Sequence, residues 1–349
     1  MRVLIINTSE RAGGAAVAAG RLKDALNNYG VKAKMLVRDK QTSDITVVPC
    51  GGGKLKQKWC FCWERLIIWL NNRMSRQHLF QVSIANAGID ITRSTAFQEA
   101  DIIHLHWVNQ GLLSLGGLRK ILQSGKPVVW TMHDMWPFTG ICHYAGHCEA
   151  FRKGCHHCPL LRFPRKHDLS YRTFQKKLAL AEKYSAHFVA VSQWLARIAQ
   201  QSPLMARQTV EVIPNALPIG RFSLKNCEES RCHFGLPQGK VVLVFGAVRI
   251  DEPRKGFHYL KEALRWLIDE KILRAEEMHL ALFGGIKDKS VLEDLPVEYT
   301  CVGFLENDDA LASLYAAAQA AVIPSEYETF GQTVIEAQAC GCVPVTFGG

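Results

Sequence analysis

Short, continuous apolar runs separated by helical segments constrain the fold of this chain more than any other feature. In the first half these runs lie at residues 3–7, 32–38, 100–106, 126–133 and 186–192. Uninterrupted apolar strands are typical of a parallel sheet that helices cover on both faces. The pattern therefore predicts an α/β fold, in which ligands bind at the carboxyl ends of the strands.

A segment rich in proline, glycine and charge, residues 214–239, interrupts this alternation. A second series of strands then begins at residues 241–245 and continues to residues 343–346. Because 349 residues exceed what one hydrophobic core normally organises, we predict two α/β domains. Their predicted boundaries are residues 1–217 and 218–349.

Composition indicates the cellular compartment of the protein, the charge of its partners and the state of its cysteines. No run approaches the roughly 18 apolar residues of a membrane span, and the first apolar run is shorter than the about 7–15 residues of a signal peptide. We therefore predict a cytoplasmic protein. The net charge of +10 favours acidic partners such as nucleotide phosphates, anionic lipids or nucleic acid. The 12 cysteines, without a signal peptide, favour free thiols or metal ligands over disulfides.

The most informative motif runs from Pro324 to Val345, with the sequence PSEYETFGQTVIEAQACGCVPV. Its middle predicts a helix from about Gly331 to Cys340, so that Glu328 precedes the helix and Glu336 lies within it. A helix start can hold a phosphate, and carboxylates can accept hydrogen bonds from sugar hydroxyls. The alternative is a pair of surface glutamates without a ligand.

This motif resembles the donor-binding motif of family 4 glycosyltransferases, although Thr329 stands where that family commonly has glycine. The resemblance implies a retaining enzyme with the GT-B fold, in which two Rossmann-like domains with parallel sheets face a cleft. It implies that Glu328 contacts the donor sugar and Glu336 the nucleotide ribose. The backbone that would cradle the donor belongs to Phe330, Gly331, Gln332 and Thr333.

Two further segments fit the same resemblance. The string Arg254-Lys255-Gly256 resembles the family's pyrophosphate loop, in which a lysine, here Lys255, and an arginine neutralise the diphosphate. Two residues are candidates for the arginine. Arg249 lies one position further from the glycine than usual, and Arg254 can substitute for it. Gly14, in the Gly13-Gly14 turn after the first strand, is assigned to the donor site. The alternatives are a solvated surface loop and a simple strand–helix turn.

Histidines lie at the ends of the predicted strands at residues 100–106 and 126–133. The resemblance implies that His133, followed by Asp134, lines the cleft near the transferred sugar; the alternative is a buried histidine bonded to backbone. His104 and His106 alternate on one strand and point to the same face, and we interpret them as structural.

A cysteine-rich segment, residues 142–158, follows these histidines. Cys155 and Cys158 have the spacing of a zinc knuckle, and Cys142 and Cys148 complete a set of four thiols. We predict a structural zinc; loose thiols and a redox-active pair are the alternatives. This insertion resembles the one in the bacterial colanic-acid and exopolysaccharide subgroup of the family, where it follows the histidine directly.

The segment from Lys54 to His78 mixes basic residues, Arg65 among them, with tryptophans and leucines. A basic amphipathic helix of this kind can lie on an anionic bilayer. The alternative is a core-facing helix with a solvated basic face.

Together these features predict a transferase that moves a sugar from a nucleoside diphosphate sugar to a hydroxyl of a glycan or lipid-linked acceptor. The resemblance implies cell-surface polysaccharide synthesis at the inner membrane face, with no cofactor required for catalysis and no nucleic acid partner. The alternatives are a nucleotide-sugar epimerase or phosphorylase of the same fold, and a non-catalytic sugar- or nucleotide-binding module. Because the chain stops just after a predicted strand, we expect the C-terminal end of the GT-B fold to be truncated.

Overall fold

The computed structural model describes residues 1–305 and 307–347. The last two residues of the predicted second domain therefore lie outside the described residues. The chain divides into two compact units, Met1–Ala216 and Leu217–Gly349. Each unit has its own sheet and its own buried core.

Unit 1 is built on a seven-stranded parallel sheet in the order β3-β2-β1-β4-β5-β6-β7. Its strands are β1 (Arg2–Ser9), β2 (Lys32–Asp39), β3 (Val47–Pro49), β4 (Ile102–Leu105), β5 (Val128–Met132), β6 (His187–Ala190) and β7 (Thr209–Val212). Its helices are α1 (Gly14–Asn28), α2 (Gly53–Asn71), α3 (Thr95–Glu99), α4 (Leu115–Gln123), α5 (Leu169–Lys183) and α6 (Gln193–Ala199). Short 3-10 turns cover Trp136–Phe138, Ala150–Arg152 and Pro203–Met205.

Unit 2 is also built on a parallel sheet, which has five strands in the order β10-β9-β8-β11-β12. Its strands are β8 (Val241–Arg249), β9 (Met278–Gly285), β10 (Glu298–Gly303), β11 (Ala320–Ile323) and β12 (Val343–Thr346). Its helices are α7 (Cys227–Phe234), α8 (Phe257–Asp269), α9 (Asp308–Ala316) and α10 (Gln332–Ala339). Its 3-10 turns cover Pro253–Lys255, Ala275–Glu277 and Lys289–Leu292.

The central strands carry the cores, as their continuous apolar runs predict. Three consecutive residues are buried in each central strand, Leu4, Ile5 and Ile6 in β1 and Leu280, Ala281 and Leu282 in β9, so both faces of each strand are covered. Such two-sided burial requires a parallel sheet with helices on both faces. The predicted α/β class with two Rossmann-like parallel sheets is confirmed. Within residues 1–305 and 307–347, no helix combines the length and hydropathy that a membrane crossing needs.

Candidate functional site

The sheet of unit 2 reverses its strand order between β8 and β11. From β8 the chain crosses to β9 and β10 on one side, and it returns to β11 and β12 on the other. The loops after β8 and β11 therefore flank this switch point, where open α/β sheets bind ligands. Both loops were singled out by their sequence, and they hold the predicted donor-binding residues.

The two loops touch at a glycine. Gly256 has a φ of +73°, and a Cβ atom built on it would lie 1.9 Å from the carbonyl oxygen of Pro324. The Glu326 N–H donates to the Arg254 carbonyl at 3.0 Å, and the Arg254 guanidinium donates to the Tyr327 carbonyl at 3.1 Å. This contact holds the basic loop against the glutamate motif.

An ion pair joins the same loops. The Lys255 Nζ lies 2.5 Å from Oε1 of Glu328, and the two side chains are 22% and 31% exposed. The pair is thus partly shielded while remaining within reach of a ligand. Sequence spacing could not show this pairing, because 73 residues separate the partners.

The two helices that begin at this edge have glycine as their N-cap residue. Gly256 precedes α8 and Gly331 precedes α10, whereas asparagine side chains cap the other two helices of unit 2. Asn226 accepts from the Glu229 N–H at the start of α7. Because glycine has no side-chain acceptor, the starts of α8 and α10 present backbone N–H groups without a cap of their own.

The remaining predicted donor residues take different positions. Glu336 is buried on α10, with only 3% exposure, so the alternative of a helix-surface glutamate is wrong for it. Phe330, Gln332 and Thr333 are half-buried around the start of α10. Arg249 is half-exposed at the end of β8 and pairs with Asp251 at 2.6 Å. That guanidinium lowers the pKa of Asp251 to about 2. Of the two arginines, Arg254 is therefore the one that contacts the glutamate loop.

Unit 1 has its own switch point between β1 and β4. Gly13, with a φ of +91°, precedes α1, and Gly14 is the first residue of that helix. Nδ1 of His106, just beyond β4, lies 2.8 Å from Nε2 of His133, just beyond β5. His104 instead bonds to the hydroxyl of Thr131. The structure thus joins His106, whose sequence position indicates a structural role, to the candidate His133.

Burial keeps these imidazoles neutral. Burial lowers the pKa of His133 to about 4, partly offset by Asp134, and burial together with the neighbouring histidine lowers that of His104 to about 4. The pKa of His106 falls well below its usual value for the same reason. Nε2 of His106 has no hydrogen-bond partner within the described residues. Because buried unpaired N–H groups are rarer than unpaired acceptors, the His106 proton belongs on Nδ1, where it donates to His133.

Asp134 turns away from this pair. Its carboxylate accepts from Nε1 of Trp107 at 2.7 Å and from the Trp136 N–H at 2.9 Å, and it lies 2.6 Å from Nδ1 of His143. Burial raises its pKa, but His143 and these N–H donors outweigh that effect and lower it. Asp134 therefore supports the loop after β5, and it engages a histidine of the cysteine-rich segment.

The four cysteines of that segment line one small cavity. Burial, together with the neighbouring thiols, raises the pKa of Cys142 to about 11 and that of Cys155 to about 12. The pKa of Cys158 is raised for the same reasons. Among the residues that the structure describes, no three His, Cys, Asp or Glu side chains form a ready metal site.

Helix α2 buries one charged pair, whereas its lysines Lys54, Lys56 and Lys58 are exposed. Glu64 and Arg65 are buried and paired at 3.0 Å, and Oε1 of Glu64 also accepts the backbone N–H groups of Ile84 and Ala85. Arg65 therefore does not belong to the exposed basic residues of this segment, and the alternative of a solvated basic face is wrong for it. The outward stripe is apolar and consists of Leu55, Trp59, Trp63, Leu66 and Leu70. The rings of Trp59 and Trp63 stack at 5.6 Å.

Comparison with known proteins gives two family matches. Residues 12–221 match the model described as Glycosyltransferase Family 4, and residues 239–349 match the one described as Glycosyl transferases group 1. WcaC of Escherichia coli (strain K12), a glycosyl transferase provisionally assigned to colanic acid biosynthesis, is 32% identical over 107 residues. That match covers 27% of this chain and 25% of WcaC. The chain spans 25% to 41% of the length of three curated relatives that it matches.

Solved structures share the fold along almost the whole chain. Sucrose-phosphate synthase from Thermosynechococcus elongatus has a TM-score of 0.64 at 18% identity, covering 99% of this chain and 81% of that one. HepE from Anabaena, in complex with UDP-glucose, has a TM-score of 0.58 at 16% identity, covering 99% and 80%. At these identities the likeness shows the fold.

Proposed function

Because this chain belongs to Glycosyltransferase Family 4, we propose that it transfers a hexosyl or deoxyhexosyl group from a nucleoside diphosphate sugar, with retention, to a hydroxyl of a glycan or lipid-linked acceptor. The observation that carries the proposal is the Lys255–Glu328 pair, which lies at a switch point beside two glycine-started helices. UDP bound to HepE makes uridine donors the first to test, and WcaC favours a role in cell-surface polysaccharide synthesis.

The donor's diphosphate supplies the negative charge that this basic loop would bind. Lys255 and Arg254 carry positive charge, and the starts of α8 and α10 add oriented N–H groups. When the bond to the sugar breaks, negative charge builds on the leaving oxygen. Groups that are already in position stabilise this charge more in the transition state than in the ground state, and so they accelerate the reaction.

Glu328, besides pairing with Lys255, is proposed to bind the donor sugar. Its carboxylate engages Lys255 at 2.5 Å. A bound diphosphate competes for the ammonium group and leaves Glu328 free to accept hydrogen bonds from sugar hydroxyls. Glu336, buried on the next helix, is assigned to the ribose hydroxyls, and the backbone from Phe330 to Thr333 is assigned to the donor.

The sugar gains oxocarbenium character as the diphosphate leaves. The acceptor hydroxyl attacks on the face that the diphosphate vacates, which retains the configuration at the anomeric carbon, and the departing diphosphate oxygen takes up the hydroxyl proton. His133 is proposed to hydrogen-bond the transferred sugar, and its neutral imidazole suits that role better than that of a cationic acid. His106 fixes the ring of His133 and thereby its tautomer.

The outward face of α2 supports an acceptor at a membrane. Its stripe of exposed tryptophans and leucines continues into the basic residues Lys54 and Lys58. Tryptophan and lysine are the side chains that favour an anionic bilayer surface. We assign this face to contact with anionic lipid, where lipid-linked acceptors reside.

The lipid contact is tested with vesicles of phosphatidylcholine, with and without phosphatidylglycerol. Changing Trp59 and Trp63 to serine should reduce binding to the anionic vesicles by about tenfold or more, because both indoles leave the bilayer. Trp266→Ser is the matched control, since Trp266 is 59% exposed and Trp59 is 57% exposed. Equal binding by all three proteins would end this assignment.

Transfer itself is tested by incubating the protein with labelled nucleotide sugars and glycan or lipid-linked acceptors. Lys255→Met and Glu328→Gln should each reduce kcat/KM by about 100-fold, as the loss of a transition-state contact does. Lys240→Met is the matched control. Lys240 pairs with Glu298 at 2.6 Å, and its side chain is about as exposed as that of Lys255, but it lies at the amino end of the sheet, away from the proposed donor site.

The products separate the alternatives. Transfer with retained anomeric configuration, read by NMR, supports the proposal, and inversion contradicts it. Recovery of an isomerised donor identifies an epimerase. Donor binding without transfer or hydrolysis, for every donor tried, identifies a binding module.

A further inference from the structure

The loop between β5 and α5 carries four cysteines around one cavity. Residues 133–168 contain only two 3-10 turns and one isolated bridge, from Val82 to Cys142, so regular structure holds little of this segment. Cys142, Cys148, Cys155 and Cys158 all line the cavity. Long irregular segments inside a compact domain usually have a function or a cross-link of their own.

Backbone N–H groups point at two of the sulfur atoms. The Gly140 N–H donates to Sγ of Cys155 at 3.2 Å, and the Leu160 N–H donates to the thiol of Cys158, two residues earlier. Cys158 is itself anchored, because its N–H donates to Asp168, the N-cap of α5. Donors to sulfur favour a thiolate over a neutral thiol, and metal-bound thiolates are commonly held in this way.

A buried lysine lies beside the same sulfurs. The ammonium of Lys177, on α5, donates to the carbonyls of Trp136 and Thr139 and lies 3.3 Å from the Trp136 ring centroid. It is close enough to Cys142 and Cys155 for its charge to act on both thiols. Burial lowers the pKa of Lys177 to about 7, and its ammonium form needs an anionic partner that neutral thiols do not supply.

The histidines of the segment are engaged elsewhere or exposed. His143 bonds to Asp134 and to the Ser83 hydroxyl. His147, His156 and His157 are exposed; of these, His156 also lines the cavity, and its Nδ1 lies 3.1 Å from Nδ1 of His157. Sulfur therefore dominates the donor set around the cavity, and sulfur donors select zinc among the common divalent ions.

We propose that Cys142, Cys148, Cys155 and Cys158 bind one structural zinc ion, and that Lys177 offsets part of the excess negative charge of this site. Four thiolates around a divalent ion leave a net charge of about −2, which accounts for a buried cation at this place. Binding releases the thiol protons and draws the four sulfurs together, because their present arrangement is not a ready metal site. With four protein ligands the ion keeps no open position, so it cross-links the loop and does no chemistry.

The test begins with the metal content of the purified full chain. Elemental analysis should find about one zinc per chain, and cobalt exchanged for it should give the absorption of a tetrahedral thiolate complex. Cys155→Ser and Cys158→Ser should lose the metal. Cys62→Ser, an exposed cysteine of the same unit, should keep it. Cobalt absorption is read on wild-type protein, so it decides the matter even where a serine variant fails to fold.

Lys177→Met tests the charge balance separately. It should weaken zinc affinity by about 10–100-fold, the usual effect of removing a group that supports a metal site from outside the ligand shell. Unchanged affinity would overturn the role of Lys177. Protein without zinc, with four titratable thiols or with a disulfide among these cysteines by mass spectrometry, would overturn the site. Neither result depends on transferase activity, so failure here leaves the proposed function standing.

Discussion

The close approach of Gly256 to Pro324 gives the sharpest prediction about the donor site. In Gly256→Ala the new Cβ would meet the Pro324 carbonyl oxygen at 1.9 Å, whereas ordinary contact begins at 3.4 Å, so the loop must retreat by about 1.5 Å. The left-handed backbone adds about 1–2 kcal/mol of strain, and the overpacking about 1–3 kcal/mol. We therefore expect a total cost of about 2–5 kcal/mol to the stability of unit 2.

Gly235→Ala separates the two contributions. Gly235, after α7, has a φ of +65° but open space around its Cβ position, so alanine there brings the strain without the clash. Only Gly256→Ala should displace the segment that leads to Glu328, and it should weaken UDP binding at least about tenfold, or about 1.4 kcal/mol. Calorimetry with UDP measures the affinity, and hydrogen exchange of the β8 and β11 amides measures local stability. Equal effects of the two substitutions would refute the reasoning.

Three further predictions concern unit 1. Glu64→Ala should cost about 3–5 kcal/mol in urea unfolding, because it leaves a buried arginine without its partner, while Glu149→Ala, from an exposed pair, should cost less than about 1 kcal/mol. The folded pKa values of His104 and His133, about 4, lie below the unfolded value of 6.5, so unfolding takes up protons at acidic pH. The free energy of unfolding should therefore be highest above pH 6.5 and fall by about 3 kcal/mol per histidine as the pH drops toward 4. Urea titrations across that pH range measure this change. His106→Phe should lower kcat about 10–100-fold with little change in donor KM, and His106→Asn should recover part of the loss, because it restores a polar partner for the adjacent imidazole.

Much of this protein follows from local patterns in the chain. Uninterrupted apolar runs and their helical spacers determine the parallel α/β class, since two-sided burial requires that architecture. The motif from Pro324 to Val345 indicated the family and the helix at its centre. The predicted helix from about Gly331 to Cys340 corresponds to Gln332–Ala339.

The tertiary structure decided which distant side chains meet and which face of a helix turns inward. Lys255 pairs with Glu328, and His106 with His133, because strands far apart in sequence end at the same sheet edge. Periodicity showed that α2 is amphipathic but could not show that Glu64 and Arg65 are buried, because only the packed neighbours supply the N–H donors for Glu64. Local patterns are properties of consecutive residues, whereas these contacts depend on strand order and on three-dimensional packing.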